Sequence, residues 1–198
     1  MTNPLFLHPT GNGTVASSAH PRTDIPQGVL DRAASIRLAL FDVDGVLTDG
    51  SLFFDDQGRE YKAFHVRDGL GFKLLRQSGV EVAVISARQS TIVARRMENL
   101  GVTHCVQGAE EKLDAYENLR RKLNLAHEQI SHIGDDLLDL PLLRRVGLAI
   151  AVADAHPSLF PHVHWKTSRP GGAGAAREVC DLIMQAQRTL ERVTAEFL

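Results

Sequence analysis

Five short apolar runs constrain this chain more than any other feature of its sequence. They are 36–43 (IRLALFDV), 80–86 (VEVAVIS), 103–107 (THCVQ), 130–134 (ISHIG) and 147–152 (GLAIAV). The runs are apolar without the in–out alternation of a half-exposed strand, which is the pattern of strands buried on both faces. Between them lie helical segments at 69–77, 90–100, 110–123 and 137–145. Strands that alternate with helices predict a parallel sheet covered by helices on both faces, a Rossmann-like α/β fold.

The segment 50–68, GSLFFDDQGREYKAFHVRD, breaks this rhythm. It is too polar for a core strand. Its DDQGR centre (55–59) has turn composition, so it reads as a β-hairpin inserted after the first strand. Residues 1–30 are rich in Pro, Gly, Ser and Thr and read as a disordered extension. The remainder, 31–198, reads as one domain whose end, 169–198, is a Gly-rich loop and a helix.

Composition excludes several classes of protein. A net charge of -2 gives no general attraction to nucleic acid or to a membrane surface. No apolar run reaches the roughly 20 residues of a membrane span, and the start lacks the pattern of a secretory leader. Two cysteines, Cys105 and Cys180, without short spacing, offer no thiolate metal site and fit a reducing, cytoplasmic setting.

Ligands of open parallel sheets bind beyond the carboxyl ends of the strands. There the first run ends in Asp42-Val43-Asp44 and the second in Ser86-Ala87-Arg88. Lys112 opens the helix after the third run, and the fourth ends in Gly134-Asp135-Asp136 with Asp139 one turn on. Carboxylates in a cluster suit a hard divalent cation such as magnesium. Ser and Lys suit a phosphate, and a carboxylate can act as a nucleophile toward phosphorus. Burying a carboxylate is costly without a compensating charge, and Gly45 permits the chain to leave the strand after Asp44. Together these residues predict phosphoryl transfer with a metal and Lys112 neutralising the transferring group. His65 and His132 read as structural or peripheral, since an oxygen-rich site prefers magnesium to zinc. His156, His162 and His164 form a weak zinc pattern at most.

These residues, in this order, resemble the four motifs of the haloacid-dehalogenase-like phosphatase superfamily. The stretches DVDGVLTDG, KAFHVRDGLG, QGAEEKL, GDDLLDLPLLRRVGLAIAVADAH and GGAGAAREVCDLI narrow the resemblance to its ulosonic acid phosphatases, in particular the 3-deoxy-D-manno-octulosonate (KDO) 8-phosphate phosphatase family. The resemblance covers about 31–190. It implies that Asp42 is the nucleophile and that Asp44 is the acid and base. It implies Mg2+ on Asp42, Asp135 and the backbone carbonyl of Asp44, with Asp136 and Asp139 in support. Ser86 and Lys112 would bind phosphate. His65, Val66, Arg67, Asp68, Gly69, Lys73, Arg88 and Arg96 would contact a phosphorylated sugar acid, as would Asp44 and Lys112. The family is nearly capless, and it assembles as a homotetramer in which a hairpin borders a neighbour's site. The Gly-rich 171–174 would fold over such a site. This chain departs from the family pattern at ISAR (85–88), Glu111 and Lys73. The residues also leave open the same chemistry on a nine-carbon ulosonate 9-phosphate, a receiver-like phospho-acceptor and a non-catalytic module.

Overall fold

The computed structural model describes residues 25–197. Of the predicted disordered extension, residues 1–24 lie outside the described residues. Helix α1 (Gln27–Ala34) crosses the boundary drawn at residue 30, and its Val29 and Ala33 are buried. The strands of the main sheet are β1 (Leu38–Phe41), β4 (Glu81–Ile85), β5 (His104–Val106), β6 (Ile130–Gly134), β7 (Leu148–Ala151) and β8 (Trp165–Lys166). Their order is β5-β4-β1-β6-β7-β8, and every pairing is parallel. The five expected strands are all present. The sixth, β8, has two residues and too little apolar length to show in the sequence.

β1 occupies the centre because all four of its residues can be buried on both faces. Leu38, Ala39, Leu40 and Phe41 are each at most 1% exposed. Burying each of the Leu and Phe side chains contributes about 1.5–3 kcal/mol. Helices α2 (Val66–Gln77) and α6 (Ala175–Ala186) pack together, with α1 against α6. Phe72 of α2 meets Phe41 of β1 with ring centroids 4.6 Å apart. Helix α4 (Lys112–Lys122) packs with α5 (Leu140–Leu143), and α3 (Thr91–Asn99) links β4 to β5. Parallel strands need crossover connections, and here they run outward to β5 and then back past β1 to β6, with the helices packed against the sheet. The fold is the expected α/β architecture.

The predicted hairpin is a two-stranded antiparallel ribbon, β2 (Phe53–Phe54) with β3 (Glu60–Tyr61). The segment 137–145, read as one helix, is instead a 3-10 turn, Leu137–Asp139, followed by α5. The cause is local: the Asp136 carboxylate accepts from the Leu137 amide at 2.7 Å and Pro141 stands in the first turn of α5. The chain ends in α6 and the short α7 (Leu190–Thr194). No helix of the described residues is long and apolar enough to cross a membrane.

Candidate active site

The direction in which successive strands are added reverses between β1 and β6. From β1 the chain runs to β4 and β5 on one side, and from β6 to β7 and β8 on the other. Such a switch point opens a crevice at the carboxyl ends of the two strands. Asp42 follows β1 and Asp135 follows β6, so the two carboxylates face one another across it. A cleft of about 150 Å³ lies there, lined by Asp42, Asp44, Ser86, Arg88, Lys112, Asp135, Asp136 and Asp139 among others.

How two acids separated by one residue share one cleft is visible in the backbone. The Asp42 amide still bonds the Ile133 carbonyl at 3.1 Å, as the last rung beside β6. At the next residue the Val43 carbonyl accepts from the amides of Val46, Leu47 and Thr48, and the chain curls out of the strand. Gly45 has φ +88, a conformation only glycine adopts without strain. A side chain there would also collide with the Asp135 carboxylate.

Lys112 is the hub of the inner cleft. Its ammonium lies 3.0 Å from Asp42 Oδ2 and 2.8 Å from Asp139 Oδ1, with the side chain only 4% exposed. Burial opposes its charge, but the two carboxylates outweigh that and hold its pKa above the ordinary lysine range. Burial, and then the charge of Asp139, push Asp42 up to about 7 against the pull of Lys112. The same two causes, in the same order, raise Asp135 to about 7. Asp139 goes the other way. Burial alone would raise it, but hydrogen bonds from His132 and Lys112 and the charge of Lys112 hold it below the usual carboxylate range.

Asp42, Asp135 and Asp139 bring carboxylate oxygens within 4.8 Å of one another. Both Asp139 oxygens are already engaged: Oδ1 by Lys112 and His132, Oδ2 by the amides of Asp135 and Asp136. That leaves Asp135, together with Asp42, whose Oδ2 alone is paired with Lys112, to hold a cation. Five carboxylates line the cleft with two cationic side chains, Arg88 and Lys112, and this oxygen-rich, anionic donor set fits a hard divalent ion.

Asp44 stands at the rim, in contact with the Lys62 ammonium and 3.8 Å from Arg88 Nε. Lys62 escaped the sequence reading. It sits in the polar hairpin, yet its side chain is 1% exposed, and its ammonium also lies 3.3 Å from Glu60. Glu60 in turn accepts from Arg88 at 3.0 Å and from Ser90 Oγ at 2.7 Å. The signal available was a lysine followed by an apolar run, KAF, where a surface strand would alternate. Ser86 is 3% exposed, and its Oγ accepts from the Arg88 amide at 3.2 Å.

The other expected substrate residues are elsewhere in this chain. His65, Asp68, Gly69 and Arg96 line a second, smaller cavity beside Phe64. His65 caps α2 through the Arg67 amide, and the Arg96 guanidinium lies over the Phe64 ring at 5.8 Å. Asp68 Oδ1 accepts from the Arg177 amide at 2.7 Å and so caps α6. Val66 and Arg67 are exposed, and Lys73 lines a groove with Arg76 and Glu98. The Gly-rich loop packs on the loop that follows β1 in the same chain: the Gly172 amide bonds the Val46 carbonyl at 3.0 Å, and the Gly171 amide bonds Asp154 Oδ1 at 2.9 Å.

A haloacid dehalogenase-like hydrolase model matches residues 106–177. The KDO 8-phosphate phosphatase of Yersinia pestis is 49% identical over 170 residues, 86% of this chain and 91% of that protein. This chain belongs to the KDO 8-phosphate phosphatase family of haloacid dehalogenase-like hydrolases. The Escherichia coli K12 family member is 46% identical over 85% of this chain and 89% of its own length. Among solved structures, the Moraxella catarrhalis family member in complex with magnesium, phosphate and KDO superposes with a TM-score of 0.84. It is 40% identical and covers 86% of this chain and 98% of its own.

Proposed function

We infer that this chain is a Mg2+-dependent phosphatase that hydrolyses KDO 8-phosphate to KDO and phosphate, a step toward lipopolysaccharide. The observation that carries this reading is Lys112 bridging Asp42 and Asp139 at a switch point where Asp135 faces Asp42. The family relatives support the substrate, and the Moraxella catarrhalis complex supports the metal.

In the first step an Asp42 carboxylate oxygen attacks phosphorus and the bond from phosphorus to the sugar oxygen breaks. Asp44 gives that oxygen its proton. In the second step Asp44 takes a proton from water, whose oxygen attacks phosphorus, and the Asp42 carboxylate is released with phosphate. Lys112 and Ser86 hold the phosphoryl oxygens, and Lys112 balances their growing charge. Asp42, Asp135 and the Asp44 carbonyl would hold Mg2+, which supplies further charge neutralisation for the transferring group. Arg88 offers a guanidinium for the sugar acid's carboxylate.

We further propose a homotetramer, supported by the exposed apolar side chains of the hairpin, and a cytoplasmic setting, supported by two free cysteines. The deciding experiment is phosphate release by the purified protein from KDO 8-phosphate, a nine-carbon ulosonate 9-phosphate and simple sugar phosphates, with and without magnesium. Highest kcat/KM on KDO 8-phosphate, lost on chelation, is expected. No release from it refutes the reading.

A further inference from the structure

His132 lies inside β6 and is fully buried. It does not line the cleft. Its Nε2 lies 2.9 Å from Asp139 Oδ1, the oxygen that Lys112 also reaches at 2.8 Å. The opposite oxygen, Oδ2, accepts from the amides of Asp135 at 3.1 Å and Asp136 at 3.4 Å. A carboxylate offers about four acceptor positions, so His132 fills the last one. Three parts of the fold therefore meet on Asp139: β6 through His132, the loop after β6 through two amides, and the start of α4 through Lys112.

The chemistry fixes which ring nitrogen carries the proton. An ionised carboxylate only accepts, so Nε2 donates. The Nδ1 atom is buried and has no partner among the described residues. A proton there would be a buried donor without an acceptor, which is costly.

We propose that His132 is a positioning residue of the phosphatase site. Its Nε2–H fixes the Asp139 carboxylate, which in turn sets Lys112 against Asp42 and holds the Asp135–Asp136 loop. The proposal rests on the cleft being the phosphatase site. Without this donor only Lys112 remains on Oδ1. The carboxylate can then turn about its Cβ–Cγ bond and carry Lys112 and the loop amides with it.

The test compares His132→Phe, a ring that cannot donate, with His132→Gln, whose amide nitrogen can donate to the same oxygen. Two readouts are used: kinetics on KDO 8-phosphate at saturating magnesium, and calorimetric magnesium binding to the metal-free proteins. His132→Phe is expected to lose about 10–100-fold in kcat and to bind magnesium more weakly, with KM within about threefold of wild type. His132→Gln is expected to recover most of both. Nitrogen-15 NMR of the wild-type imidazole is expected to show a protonated Nε2 and a bare Nδ1. Wild-type kcat and magnesium affinity in His132→Phe overturn the proposal. So does a folded His132→Gln no better than His132→Phe, or a wild-type ring protonated on Nδ1. If His132→Phe does not fold, wild-type-like behaviour of His132→Gln with the expected NMR signature supports the proposal, and loss of either overturns it. A wild-type protein inactive on the ulosonate phosphates, with the Nε2–H signature intact and magnesium binding weakened in His132→Phe, refutes the substrate reading and leaves the His132 clamp standing.

Discussion

Lys112 serves two carboxylates with one ammonium, at 3.0 Å from Asp42 and 2.8 Å from Asp139. Lys112→Met removes that charge where the phosphoryl group gathers its own, so kcat should fall about 10²–10³-fold. Lys112→Arg should not restore it, because a planar fork cannot take the place of a compact ammonium. Steady-state phosphate release reads both. Asp44→Asn separates the two half-reactions. On KDO 8-phosphate it should lose about 10²–10⁴-fold, for want of a proton donor. With 4-nitrophenyl phosphate, whose leaving group needs no proton, the first step should survive and the second should stall. A burst of nitrophenolate and phosphorylated Asp42 in the mass spectrum are expected; phosphate released at the wild-type rate would remove Asp44 from the second step. The metal titrates with these acids. Asp42 and Asp135 stand at about 7 in the metal-free protein, so they are mostly protonated below that pH and ionised above it. A cation binds the ionised form, so magnesium affinity should fall as pH drops through about 7, and binding near that pH should release protons. Calorimetry in buffers of different ionisation enthalpy measures the release. Asp42, Asp44, Ser86, Lys112 and Asp135 were legible in the sequence because polar groups at the ends of apolar runs stand out. Lys62 and His132 were not. A lysine in a polar hairpin reads as solvated, and a histidine inside a strand reads as packing, until the fold shows what each one faces.

At the scale of elements, the loop after β1, the proposed catalytic loop, is held from outside by the Gly-rich loop that precedes α6. A side chain on Gly171 would collide with the Gly45 carbonyl oxygen, and one on Gly172 with the Asp49 amide. Within the chain this loop packs on the backbone that carries Asp44. Composition marks 171–174 as flexible chain and does not say what it approaches. Gly171→Ala should therefore push the catalytic loop aside. The expected cost is about 1–3 kcal/mol of stability and ~10-fold or more in kcat, since small misplacements of reacting groups are costly. Gly79, just past the end of α2, is the control: its φ is +102 but nothing lies where a side chain would go. Gly79→Ala should cost only about 1 kcal/mol of left-handed strain, with kcat unchanged. Thermal unfolding and kinetics on both variants make the comparison, and equal kcat in the two would refute the strut. Elements with their own apolar signal were legible, as β1 and β6 were. Those fixed by tertiary contact were not: β8 is two residues long, and α1 lies in a stretch whose Pro and Gly content reads as tail.

For the whole molecule, the question is what covers the hairpin. A ribbon with two residues in each strand is marginal in water unless another surface completes it. Phe53 pairs with Tyr61 on one side of the ribbon, while Phe54, paired with Glu60, points to the other. All three aromatic rings are more than half exposed in the single chain, as is Val66 at the start of α2. Exposed apolar side chains of this kind suit the subunit contact proposed above. The base of the hairpin is tied down through Lys62 to Asp44 and through Glu60 to Arg88. A force on the tip is therefore transmitted to the rim of the cleft. In the proposed tetramer a second copy covers these rings, so assembly and activity should be lost together. Phe54→Asp places a charge in that contact without touching the cleft. Light scattering on the eluting protein should show wild type as a tetramer and Phe54→Asp as smaller species. The same variant should show raised KM for KDO 8-phosphate, with the metal affinity set by Asp42 and Asp135 retained. A Phe54→Asp protein of smaller size with wild-type kinetics would assign the hairpin to assembly alone, and an undiminished tetramer would place the subunit contact on another surface.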